Sequence, residues 1–172
     1  MSFTDVLFPI VSQPDATPAD SLEAGLSMIR MISPSPGEVT ALILQARYPA
    51  MHNPMANTLI QLDAMARDQE VGSAAHAKVL EKTFRGFADA ADLPYQVEVH
   101  SVPPSGQADF VAEKALTRDV TVIPVGPSMG SDEWIAEAVL FGSGRPVVLF
   151  PERLKAPDLE RTTLAIAWDG SK

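Results

Sequence analysis

Five short apolar runs are set apart by longer stretches with helical spacing, and this alternation restricts the chain to very few architectures. Asp5 to Val11 is almost wholly apolar after its first residue, as a strand covered on both faces must be. Glu38 to Ala46, Tyr95 to Val102, Val120 to Val125 and Pro146 to Phe150 are the other four runs. Between them lie helical patterns. Thr17-Pro18-Ala19-Asp20 reads as an N-cap, a first-turn proline and an acid, followed by Leu22, Gly25, Leu26 and Ile29 at helical spacing, with the stop before Pro34.

Good helix formers fill Asn57 to Ala91, with Val79, Leu80, Phe84, Phe87 and Ala91 as the expected apolar stripe and Gly72 as a point of interruption. Ser105 opens a further helix through Phe110, Val111, Ala115 and Leu116. Ser131 or Asp132 caps the last one, through Trp134, Ile135, Ala138 and Val139. Right-handed crossovers wind such an order into an α/β fold: a Rossmann-like, doubly wound, five-stranded parallel sheet with helices on both faces. Ligands in these sheets bind beyond the carboxyl ends of the strands, where the strand order reverses. The turns after the first and fourth strands are therefore the informative ones.

The domain is expected over residues 1–151, with a polar linker at 152–161. Residues 162–172 hold Thr163-Leu164-Ala165-Ile166-Ala167-Trp168-Asp169-Gly170-Ser171, which restates the opening strand and turn. They read as the first strand of a truncated second domain or as an added edge strand. A formal net charge of −9 repels phosphate backbones and anionic membranes, so neither nucleic acid nor a membrane is an expected partner. The absence of cysteine and of a basic, apolar leader at the start fits the cytoplasm.

The turn after the fourth strand reads Gly126-Pro127-Ser128-Met129-Gly130-Ser131, and Phe141-Gly142-Ser143-Gly144-Arg145-Pro146 follows the last helix pattern. Glycines before a helix N-terminus let backbone amides approach phosphate oxygens, and they equally make a turn and cap with no ligand. Arg145 suits either a phosphate or, with more weight, a structural contact. Gly126-Pro127-Ser128-Met129-Gly130 is also a literal GxSxG between strand and helix, as in a serine hydrolase elbow. That chemistry needs a histidine after the serine, whereas His52, His76 and His100 all precede Ser128. Met51, Met55 and Met65 read as gap fillers along a helical stretch.

On these residues the chain resembles the universal stress protein family from Asp5 to Phe150, and Ala167 to Ser171 looks like the start of a second family domain. The resemblance implies a non-enzymatic stress-response protein that binds ATP with magnesium and forms a homodimer through the fifth strand. It places Pro9, Ile10 and Val11 against the base, and the phosphates on Gly126, Ser128, Gly130, Ser131, Gly142 and Ser143. Val11 stands where the family carries an aspartate, while Asp169 matches that pattern in the second copy. Three residues separate Gly126 from Gly130 where the family has two, and eleven separate Gly130 from Gly142 where it has nine. One lost charge-assisted hydrogen bond is worth about 1.5 to 3 kcal/mol, so the implied nucleotide site is degenerate. The alternatives are an interaction module without ligand and a hydrolase built on Ser128.

Overall fold

The computed structural model describes residues 3–48, 62–127 and 130–152. Its strands are β1 (Asp5–Val11), β2 (Glu38–Ala46), β3 (Tyr95–Val102), β4 (Val120–Val125) and β5 (Val147–Pro151). All pairings are parallel, in the order β3-β2-β1-β4-β5. The helices are α1 (Ala19–Ile32), α2 (Leu62–Ala90), α3 (Gln107–Ala115), entered through a 3-10 turn at Pro104–Gly106, and α4 (Ser131–Gly142). The chain runs outward from β1 to β3, then returns to β4 on the other side of β1. Strand order therefore reverses between β1 and β4, the expected place for a site.

Two apolar layers hold the sheet. Val6, Phe8 and Ile10 of β1 face α1 and α2, where Leu22, Ile29, Leu80 and Phe84 meet them. Leu7 and Val11 point to the opposite face, against Val111 of α3 and Ile135 and Val139 of α4. This alternation along one strand explains why β1 is apolar at every position after Asp5. Among the described residues, no helix is long and apolar enough to cross a membrane.

Several local expectations change in the folded chain. Thr17 is not the cap of α1: Pro18 holds that position in extended backbone, without a side-chain cap bond. Helix α2 runs through Gly72 without a break, and its buried stripe is Ser73, Ala77, Leu80, Phe84 and Ala88. Val79, one position and about 100° from Leu80, faces solvent. Met65 is exposed and fills no core gap, while Met51 and Met55 lie outside the described residues. Phe150 is buried against Phe8 with ring centroids 6.4 Å apart, so the exposed apolar side chain of β5 is Leu149.

The β3 edge carries an ion cluster rather than an apolar face. Glu98 Oε2 accepts hydrogen bonds from Lys114 Nζ and from His100 Nε2, each at 3.0 Å, and Arg118 Nη2 reaches Oε1 at 3.4 Å. Arg118 Nη1 also donates to Asp5 Oδ1 at 2.8 Å, which ties this edge to β1. The Lys114 hydrogen bond first, and then the His100 bond and the nearby cations, hold the Glu98 carboxyl below its ordinary value of 4.5 against the opposing effect of burial. A carboxyl depressed on folding adds stability that is present above its unfolded value and lost as pH falls through the folded one. Urea titrations should therefore find Glu98→Gln less stable than the parent at pH 7. The two midpoints should converge as pH falls below about 4. A constant difference down to pH 3 would show that the ionised carboxylate contributes nothing.

Candidate functional site

The carboxyl ends of β1 and β4 open into a crevice of about 130 Å³. Val11 and the segment Asp15 to Pro18 form one wall, and Pro124 to Pro127, Gly130, Asp132 and Glu152 form the other. The loop after β1 is closed by a two-way clamp: Val11 N–H donates to Thr17 Oγ1 and Thr17 N–H donates to the Val11 carbonyl, both at 2.9 Å. Thr17 thus folds the loop back onto the strand end, which is why it does not cap α1. It also engages the Val11 main chain that the family resemblance directs at a base.

Behind this loop the next residue is sealed in. Ser12 is fully buried and Ser73 of α2 lies 2.6 Å away, oxygen to oxygen. Ser12 donates its hydroxyl hydrogen to the Leu44 carbonyl at 2.9 Å, and Ser73 Oγ accepts from Ala46 N–H at 2.7 Å. With one hydrogen on each hydroxyl, the Ser73 hydrogen must point at Ser12 Oγ. The pair pins α2 to the ends of β1 and β2. Neither side chain projects into the crevice.

The β4 side carries the glycine turn. Gly126 N–H donates to Asp132 Oδ2 at 2.6 Å, a charge-assisted bond across six residues. Gly130, extended at φ −127° and ψ −171°, is the N-cap of α4, with Asp132 and Glu133 in the first turn. Helix N-termini favour negative charge, and here the chain supplies that charge itself. A Cβ on Gly126 would lie 3.3 Å from Glu152 Oε2 and 3.4 Å from Asp132 Oδ2, so the glycine sits between two acids. Glu152 is placed by its N–H on the Val125 carbonyl and by Ser21 Oγ, which donates to the Glu152 carbonyl at 2.7 Å.

These positions bring part of the expected site together and separate the rest. Val11, Gly126 and Gly130 line the crevice, Pro9 and Ile10 lie below it as buried strand residues, and Ser131 is the first residue of α4. Ser128 lies outside the described residues. Gly142 and Ser143 end α4, about 18 Å of helix from its start, at the opposite end of the sheet. Ser143 Oγ donates to the Val139 carbonyl at 2.6 Å and accepts from Arg145 N–H at 3.1 Å, a C-cap that leaves no role on phosphates. The Gly-Ser that precedes the helix before β5 is therefore Gly130-Ser131. Arg145 is structural, its Nε donating to the Leu116 carbonyl at 3.0 Å.

The described walls of the crevice offer a phosphate chain little. The crevice's space of about 130 Å³ adjoins two larger hollows, one of about 550 Å³ along Gly126, Pro127 and Glu152 and one of about 440 Å³ along Asp15 and Gly130. Its described lining holds Asp15, Asp132 and Glu152 and no Lys, Arg or His. Two like charges 4 Å apart cost about 1 kcal/mol in water and about 4 kcal/mol near a protein surface, which works against each added phosphate. Among the described residues, no group of three or more His, Cys, Asp and Glu is arranged to hold a metal that would offset them. Sequence reasoning offered Ser131 or Asp132 only as the cap of the last helix, a place that Gly130 takes, and it missed Glu152. Asp132 was legible as an acid one position into a helix after a glycine turn, but Glu152 reaches the crevice only through the β4–β5 pairing.

A hydrolase gains nothing from the described histidines. His76 is exposed on α2, and His100 is held by Glu98 with its ring 5.0 Å from that of Phe110. His52, like Ser128, lies outside the described residues.

No protein-family model matches the sequence, and no curated protein matches it significantly. Solved structures do match the fold. The universal stress protein UspA from Lactobacillus plantarum superposes with a TM-score of 0.56 at 17% identity, covering 87% of this chain and 98% of that one. A hypothetical protein, PH0823, gives a TM-score of 0.52 at 17% identity over 87% of this chain and 96% of its own. At this level of identity the likeness is one of architecture, and it agrees with the strand order and the two helical layers found here: the chain has the universal stress protein fold.

Proposed function

We propose that this chain is a non-enzymatic, universal stress protein-like domain of the cytoplasm, with a degenerate nucleotide site, that acts by association with a second copy. The observation that carries this reading is the Asp132 carboxylate on the Gly126 amide. In the family pattern that amide belongs to the ATP phosphates, and here an internal anion takes the position. The adjoining carboxylates of Asp15 and Glu152 work in the same direction. Stress response follows from the fold likeness and the resemblance in sequence, and catalysis has no support in the crevice.

Association is supported by the edge at β5. Among the described residues no strand pairs with the outer edge of β5, an arrangement that invites association, and Leu149 there is 52% exposed. Val125, Pro127, Leu149 and Pro151 border an open, mainly apolar hollow of about 550 Å³ beside that edge. A second copy of β5 is the partner that the resemblance implies. The repeated segment at residues 162–172, the other element offered to such an edge, lies outside the described residues.

Calorimetric titration with ATP and magnesium, with chromatography of any nucleotide released on denaturation, tests the site. The expected result is no saturable heat below about 1 mM and no released nucleotide. Micromolar affinity would overturn the degenerate reading. Light scattering at tens of micromolar should give twice the 18.4 kDa chain mass, and Leu149→Asp should return it to that of one chain. A monomeric parent would remove the dimer.

A further inference from the structure

We propose that the outer face of α4 is a docking surface for a basic amphipathic helix of another protein. A surface helix ordinarily turns polar residues to solvent. The solvent side of α4 instead presents Trp134, Leu140 and Phe141, which are 66%, 52% and 79% exposed, with Glu133 and Glu137 between them around the helix. Trp134 and Phe141 are seven residues apart, so they lie on one line along the helix, about 10 Å from one to the other. Exposed aromatic residues beside polar ones make the anchors and rim of a protein interface. Leu116, also exposed, adjoins the Phe141 end: a Cβ on Gly142 would lie 3.5 Å from Ala112, and Arg145 Nε reaches the Leu116 carbonyl.

Charge selects the occupant. Glu133 and Glu137 stand one turn apart with like charge, an arrangement that costs a helix stability. Neither has a hydrogen bond or ion pair among the described residues, and α4 contains no Lys, Arg or His. Cations on the adjoining segments are already engaged. Lys114 and Arg118 are held by Glu98, and Arg145 by the Leu116 carbonyl. Elsewhere the chain answers an exposed acid itself, as Arg85 does for Glu81 on α2 at 2.8 Å. On α4 the cation must come from a partner.

Two other occupants fit less well. A second copy docked two-fold on this face would set its acids against the same acids, and an anionic membrane would be repelled by them. A helix with apolar residues at i, i+3, i+4 and i+7, flanked by Lys or Arg, matches both the line of anchors and the charge. The net charge of −9 steers such a partner inward. The inference goes beyond the proposed function, because it requires nothing of the nucleotide crevice or of the β5 contact.

Fluorescence anisotropy tests it with a fluorescein-labelled leucine and lysine peptide of about 18 residues, its leucines at helical spacing. One control peptide shuffles the same residues out of that spacing, and another replaces lysine by glutamate. The expected result is saturable binding of the basic peptide at about 10 µM, with both controls at least about tenfold weaker. Phe141→Ala and Glu137→Lys should each weaken it about tenfold. Glu23→Lys, an equal change of charge at an exposed position of α1, should stay within about twofold of the parent, as should Leu149→Asp at the proposed dimer edge. All four positions are exposed, so urea midpoints identify any variant altered by unfolding rather than by lost contact. Absence of saturation, equal binding of either control peptide, unchanged affinity in Phe141→Ala, or an equal loss in Glu23→Lys would each overturn the site. Loss of binding in Leu149→Asp would move the peptide to the β5 edge and overturn it too. A halved mass of Phe141→Ala in light scattering would give the face to a second copy, and phosphatidylcholine vesicles that bind the parent but not Phe141→Ala would give it to a membrane. Either result also overturns the proposal.

Discussion

Val11→Asp, the change that restores the family's acid after the first strand, is expected to cost about 4 kcal/mol or more of stability and to gain no ATP affinity. Val11 is 4% exposed and packs with Leu7, Leu44, Ile123 and Ile135. Losing that burial alone costs about 1.5 to 3 kcal/mol. An unpaired carboxylate in its place adds several more, or else must take up a proton to stay. A domain of this size has about 5 to 15 kcal/mol in hand, so the variant should unfold at a much lower urea concentration. The deficit should also deepen from pH 5 to pH 8, because the new carboxyl is tolerated only in its protonated form. A variant with parental stability and micromolar ATP binding would show that this side chain turns outward and that one substitution emptied the site.

The fold was legible because buried parallel strands leave a dense local trace. The ranges Asp5–Val11, Glu38–Ala46 and Val120–Val125 coincide with the apolar runs, since backbone covered on both faces tolerates few polar residues there, and the half-exposed edge strand Tyr95–Val102 coincides with the alternating run. The candidate site was less legible, because its parts meet through long connections. Thr17 carries a cap signature, yet its hydroxyl is drawn away by the Val11 amide six residues earlier. Gly142-Ser143 imitates a phosphate motif in sequence, but a twelve-residue helix places it at the wrong end of the sheet. Glu152 comes to its position through β4–β5 pairing, a relation that no local pattern encodes. Asp132 was the exception. Its place one step inside a helix after glycine already offered an internal anion for the turn.

Gly25 connects this packing to the closure of the crevice, and substituting it should produce the second large effect. Glycine in a helix interior costs about 1 kcal/mol relative to alanine, so propensity alone favours Gly25→Ala. Geometry opposes it. A Cβ there would lie 2.8 Å from Phe8 Cε1 and 3.1 Å from Phe150 Cζ, where α1 approaches the sheet. Both rings are fully or almost fully buried, and Phe8 also packs on Phe84 at 6.2 Å, so neither has free space into which to move. Overpacking of this kind costs about 1 to 3 kcal/mol, enough to reverse the propensity gain. Gly25→Ala should lower the urea midpoint, and Gly25→Leu should lower it further. One helical turn earlier, Ser21 donates to the Glu152 carbonyl, so displacement of α1 pulls on the residue that brings an acid beside Gly126. Combining Gly25→Ala with Phe8→Leu should recover part of the loss, because the truncated ring vacates the space that the new methyl needs. A Gly25→Ala variant more stable than the parent by about 1 kcal/mol would mean that α1 slides freely on the sheet, and that the acids at the crevice are not held in place by its close approach.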